Sequence, residues 1–217
     1  MPAPAQNAAA IDLLGLHAFV QLAAFTRFTK DAQHAPTLPA QVTLSRMAAG
    51  ELAHLDQLER LIGDLGGDFY PTMSSYAGLL GDFDRRTAPG DWWERLMRTY
   101  VAFGVLTDLQ RELTTRLDAP VQRALEDILA DSGHGDFVVA ALQPVITAEP
   151  QLGARLALWG RRVVGEALGI AQRALAEHPL LLAQLDDDAA AGEGAGWVRN
   201  KLSTGHARRM GRLGLTA

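Results

Sequence analysis

The sequence predicts an all-α protein, a four-helix bundle with additional C-terminal helices. Three observations carry this. Apolar residues recur at alternating steps of three and four through five long segments, which is the period of one helix face, and no stretch alternates as a half-buried strand would. Helix punctuation separates the segments: Pro36 and Pro39, Gly66-Gly67, and Asp91 with Glu94 three residues on. Polar residues interrupt the apolar faces of the central segments, as in bundles that build a site between facing helices.

The first helix spans about Ile11 to Gln33 and ends at the Pro36–Pro39 region. The second runs from about Ala40 to Leu65 and stops at the glycine pair. DFYPTMSSYAGLLGDFDRRTAPG follows, a long connection with room for one short helical turn, so the bundle is not a simple up-and-down one. Asp91 and Glu94 open a third helix with a capping-box pattern, and it continues to about Leu117. Pro120, tolerated in a first turn, opens a fourth that runs to about Thr147, with two glycines in DSGHG and a bend or break expected at Pro144. A fifth spans about Gln151 to Glu177. The chain thus divides into a bundle over 1–185, a flexible acidic and glycine-rich linker over 186–196, and a basic C-terminal helix over 197–217 packed on the bundle. That last helix docks through Met210, Leu213 and Leu215, and its cations could touch phosphate.

Composition narrows the chemistry. The 217 residues are 48% hydrophobic and 21% charged, ordinary for a globular protein long enough to bury a substantial core. There is no cysteine, which excludes disulfides, thiolate metal sites and cysteine nucleophiles. His, Asp and Glu remain as the strong metal ligands. No apolar run reads as membrane-spanning and the N-terminus lacks a secretory layout, so the expected location is cytoplasmic, without a membrane partner. The formal charge of −5 argues against nucleic acid as a broad electrostatic partner. From Ala195 onward the sign reverses, with Arg199, Lys201, Arg208, Arg209 and Arg212 and no acidic residue. The apolar fifth helix could supply a homodimer face.

The motif that stands out is GELAHLDQL, residues 50–58. Leu44, Met47, Leu58, Leu61 and Leu65 mark one helix face, and Glu51 and His54 fill the two missing places in that series. A carboxylate on a core face needs a partner or a metal. The fourth helix repeats the feature: Asp131 and His134 are again three apart, with Val121, Ala124 and Ile128 before them and Val138 and Leu142 after. Two carboxylate-x-x-His pairs on two core helices are the ligand pattern of a dinuclear iron or manganese bundle, which also takes one carboxylate from each remaining helix. Those are missing. The first helix presents Gln21 among Leu14, Ala18, Ala24 and Phe28, and the third presents Phe103 in line with Leu96 and Tyr100. Asp108, five residues beyond Phe103, is too far around the helix for both to face one centre. His17, one turn before Gln21, could donate into the site.

MAAGELAHLDQLERL, LADSGHGDFVV, RLALWGRRVVGEAL and HARRMGRLGL resemble ferritin-like bacterial proteins of the tRNA-(2-methylthio-N6-isopentenyl-adenosine) hydroxylase-like branch, over nearly the whole chain. The resemblance implies a ferritin-like four-helix bundle and the chemistry of a non-haem diiron oxygenase. It also implies Glu at the position of Gln21 and Asp at those of Phe103 and Asp108, of which only Asp108 is present. As partner it implies tRNA, which the acidic body does not support.

The expected metal ligands are therefore Glu51, His54, Asp131 and His134, with Gln21 and Asp108 as further candidates. The expected cofactor is iron, mononuclear, dinuclear or lost. With two terminal carboxylates gone, two dications would face about two carboxylate charges instead of four, so at most one metal is expected per chain. In an empty site, Glu51 and Asp131 would hydrogen-bond to His54, His134 and Gln21, with protonated histidines offsetting their charge. The competing reading is a non-catalytic helical scaffold or interaction protein whose metal centre has decayed.

Overall fold

A computed structural model describes residues 4–130, 132–186 and 194–217. Among these the regular structure is helical, with no strand. The order is α1 (Pro4–Gln33), α2 (Leu38–Asp64), α3 (Phe69–Ser74), α4 (Phe83–Arg86), α5 (Trp92–Thr114), α6 (Ala119–Leu125), α7 (His134–Ala148), α8 (Pro150–Glu177), α9 (Pro179–Asp186) and α10 (Gly194–Arg212).

α1 and α2 form the most extensive helix pair, and α5 packs on α1 from another side. α7 and α8 lie against α5, and α10 covers α5 and α8. α1 therefore needs apolar residues nearly all round. Leu13, Leu16 and Val20 join the core shared with α5 and α8, while Leu14 and Ala18 pack with Leu58 and Ile62 of α2. This is why residues 7–33 are long and apolar enough, by length and composition, to cross a membrane, contrary to the sequence reading. Just over half of that window is buried inside the fold.

Two polar ties fix the ends of α1. Near its start, the Tyr76 hydroxyl donates to Asp12 Oδ1 at 2.7 Å, and His178 Nδ1 lies 2.8 Å from the same oxygen. The Tyr76 and His178 rings stack with centroids 3.8 Å apart, joining the α3–α4 connection to the α8–α9 junction. Near its end, the wholly buried Asp31 accepts from Thr99 Oγ1 at 2.7 Å and pairs with Arg95 at 3.4 Å.

The punctuation works largely as read. The Thr37 side chain caps α2, accepting from Ala40 N. Asp91 caps α5 by accepting from Glu94 N at 2.8 Å, and Glu94 reaches back to accept from Gly90 N at 2.8 Å. The long connection forms two short helices, α3 and α4, where one turn was expected. The main departure lies in the expected fourth helix, which is broken. α6 ends at Leu125, residues 126–129 form turns, and α7 begins at His134 behind Gly133, whose φ of +78° favours glycine. Pro144, where a bend or break was expected, sits inside α7, and the helix carries on to Ala148. The expected linker at 186–196 falls mostly on 187–193, outside the described residues.

Candidate functional site

Four walls enclose a cavity of about 220 Å³. α1 supplies Val20, Gln21, Ala24 and Phe28, and α2 supplies Glu51. α5 contributes the row from Tyr100 through Phe103 to Asp108 and Arg111, and the α6–α7 segment contributes Ile128 to Ala130, Ser132 and His134. The spacing within each helix brings this about. Gln21, Ala24 and Phe28 follow the three-and-four step of one face, and Phe103 and Gly104 lie one turn beyond Tyr100.

Glu51 is 7% exposed, and loss of hydration pushes its carboxyl up to about 7, which favours the protonated form well above the usual carboxylate range. His134 is equally buried. Its ring stacks on Phe28 with centroids 4.7 Å apart, burial pushes its pKa down to about 4, and its Nε2 is sealed from solvent without a partner. Phe28 also meets Phe103, ring centroid to ring centroid, at 6.0 Å. Two phenyl rings and a neutral imidazole thus form one apolar side of the cavity, with the Gln21 amide and the Glu51 carboxyl also in its wall.

His54 stands apart from this wall. Its Nδ1 is 3.6 Å from Glu51 Oε2, too long for a hydrogen bond, and has no other partner. Burial lowers its pKa, partly opposed by the negative charge of Asp127. The expectation of protonated histidines balancing carboxylates is therefore reversed. Desolvation is the larger effect, and it drives His54 and His134 toward neutral imidazole and Glu51 toward neutral acid.

Asp131 lies outside the described residues. Its expected pairing with His134 therefore lies outside them too; the described neighbours, 126–130 and 132–133, are not helical, and His134 is the first residue of α7. Asp108 and Phe103 both line this cavity. Five residues advance about 7.5 Å along a helix, so the two occupy different depths of an elongated space. Asp108 is already engaged, accepting from Arg209 Nη1 at 2.6 Å. His17 does not line the cavity; its ring is wholly buried with Nε2 3.2 Å from Thr114 Oγ1.

The described residues do not by themselves supply the donors of a metal pair. Among the described residues no three His, Asp or Glu side chains are grouped so as to hold one ion. Of the cavity-lining residues, Glu51 and His134 are the donors of the expected type not already engaged by a cation, and a phenyl ring and an amide occupy the walls that face them.

The sequence reading missed the cations of the site. Arg209 and Arg212 of α10 and Arg111 of α5 line the cavity beside Asp108. The available signal was Gly104, an unexplained glycine in mid-helix. A Cβ there would run into Nε and Cδ of Arg209, so the glycine makes room for that side chain.

Comparisons with known proteins agree on architecture. The family model described as "Ferritin-like domain, actinomycetes" matches residues 4–187. No curated protein matches the chain. Among solved structures the chain is similar to "Protein 19 with aldehyde deformylating oxidase activity from Synechococcus", with a TM-score of 0.75 and 16% identity, covering 99% of this chain and 94% of that one. At that identity the likeness is one of fold.

Proposed function

This chain belongs to the actinomycete ferritin-like domain family, and from that premise we propose that it derives from the diiron hydroxylase-like branch but no longer holds a metal pair. Its cavity takes at most one metal and serves as a pocket for a small molecule. The observation that carries this reading is the place of Phe103. It lines the same cavity as Gln21, Glu51 and His134, on the wall where the branch it resembles has a carboxylate, and it packs against Phe28.

Iron bound in such a cavity supplies oxygen activation. What this chain's own residues do is narrower. Glu51 must first lose a proton that burial favours keeping, whereas His134 already offers a bare, neutral nitrogen. Phe28, Phe103 and Val20 exclude water, and Gln21 offers a neutral donor and acceptor. A carboxyl that burial inclines toward its neutral form, an amide and an imidazole suit hydrogen bonding to a neutral polar group better than charge balance for two dications.

Restoring the missing groups tests the reading. The double variant Gln21→Glu, Phe103→Asp, loaded anaerobically with ferrous iron, is expected to bind more iron per chain than the unmodified protein and to approach two. Equal iron in both proteins would overturn the claim that these positions limit the site. The scaffold alternative predicts that neither protein binds metal or small molecules.

A further inference from the structure

The basic side of the cavity carries a second conclusion. Where α10 crosses α5, a groove of about 320 Å³ is lined by Arg111, Lys201, Arg208, Arg209 and Arg212, with Asp108 and Glu112 as its carboxylates. Asp108, Arg111, Arg209 and Arg212 also line the central cavity, so groove and cavity meet at these four residues. Lys201 pairs with Glu112, and Arg209 with Asp108. Arg111 donates to the Leu129 carbonyl at 2.7 Å, and Arg212 reaches out of the groove to Asp136 at 2.5 Å. Among the described residues, five cations and two carboxylates line the groove.

Arg209 is the built part. Only 15% of its side chain is exposed, and it is held in place from both helices. It lies over Gly104 of α5, and Gly205 of α10 leaves the room in which Asp108 reaches it. Its Nη1 is fixed to Asp108, while Nε and Nη2 are buried without a partner. Those two nitrogens form one planar edge of the guanidinium, the edge that takes a carboxylate or phosphate through two parallel hydrogen bonds. A buried donor left unmade is costly, and a pair on one edge has a natural complement in an oxyanion.

We propose that the α5–α10 groove and the cavity behind it form one binding site for a compact small molecule with an oxyanion head and an apolar body. The head pairs with Arg209, and Arg111 and Arg212 add favourable field. The body lies among Val20, Ala24, Phe28 and Phe103. The volume restricts the body to about the size of a phenyl ring with a short chain. Carboxylate and phosphate monoester share this chemistry. The site stands on Arg209 and does not depend on metal content.

The test is isothermal titration calorimetry of the full chain with 3-phenylpropionate and phenyl phosphate, and with the neutral 3-phenylpropanamide as control. Both acids should bind, the amide at least about tenfold more weakly, as expected for losing a charged two-point hydrogen bond. The tighter acid identifies the head. Arg209→Gln should weaken the acids by a similar factor and leave the amide unchanged. If that variant fails to fold, Arg209→Lys keeps charge and stem but not the fork, and should show the same loss. If neither variant folds, the comparison of acid with amide on the unmodified protein decides. The proposal is overturned if neither acid binds, if the amide binds as well as the acids, or if a folded Arg209 variant binds them undiminished. It is also overturned if removing metal with a chelator abolishes acid binding, since the acid would then be a metal ligand. That outcome would leave the metal reading standing.

Discussion

Burial holds His206 neutral. Its ring is 3% exposed, neither nitrogen has a partner, and desolvation, helped by the nearby Arg209 cation, pushes its pKa down to about 4. His17 behaves alike and is pushed to about 3. The sign follows from linkage. In the unfolded chain a histidine takes a proton near pH 6.5, whereas in the fold these two resist it, so stability is full above pH 6.5 and declines as pH falls toward 4. His206→Leu removes one such group along with two unsatisfied nitrogens. Its melting temperature should equal or exceed that of the unmodified protein at pH 7, and should fall less between pH 7 and pH 5. Differential scanning calorimetry at the two pH values checks this, and a steeper fall in the variant would contradict it. None of this was legible in the sequence. A histidine followed by Ala207 and two arginines reads as part of a basic face, and its burial follows only from the packing of α10 on α5 and α8.

At the scale of helices, two glycines give predictions of informative sign. Mid-helix Gly→Ala ordinarily stabilises by up to about 1 kcal/mol. Gly104→Ala should instead destabilise, by about 1–3 kcal/mol, because the new methyl displaces the Arg209 guanidinium and its ion pair with Asp108. Urea unfolding measures the difference, and stabilisation would mean that Arg209 does not lie where described. Gly133→Ala should cost about 1 kcal/mol through backbone strain alone, since φ is +78° there and no atom crowds the position. The first, second, third and fifth helices were legible because their apolar period and their caps agreed. The fourth misled because its apolar spacing continues across the break. Val121 and Ile128 are indeed buried on one side and Val138 and Leu142 on the other. Periodicity reports which residues face inward, and two short segments preserve it while packing into different clusters, Val121 and Ile128 with Leu58 and Ile62, Val138 and Leu142 with the α5 and α8 residues. The DSGHG glycines marked the break, whereas Pro144 does not end its helix.

Across the whole molecule, the bundle exists because α1 can be apolar on almost every side, with α2 and α5 covering it. The cavity lies among α1, α2, α5 and the α6–α7 segment because each interrupts its apolar face at a comparable height. Gln21, Glu51, Phe103 and His134 were legible as its lining for that reason, since each occupies a core-facing slot of its own segment. His54 was not, because a shared helix face fixes direction only to within a wide arc, and it lies outside the cavity wall. Arg209 was not, because its position depends on where the last helix folds back. The metal content this architecture still supports follows from that lining. Saturating the unmodified protein with ferrous iron under anaerobic conditions, removing the excess, and counting iron per chain before and after exposure to air tests it most directly. At most one iron per chain and no oxo-bridged absorption band are predicted; two tightly held irons with that band would contradict the account.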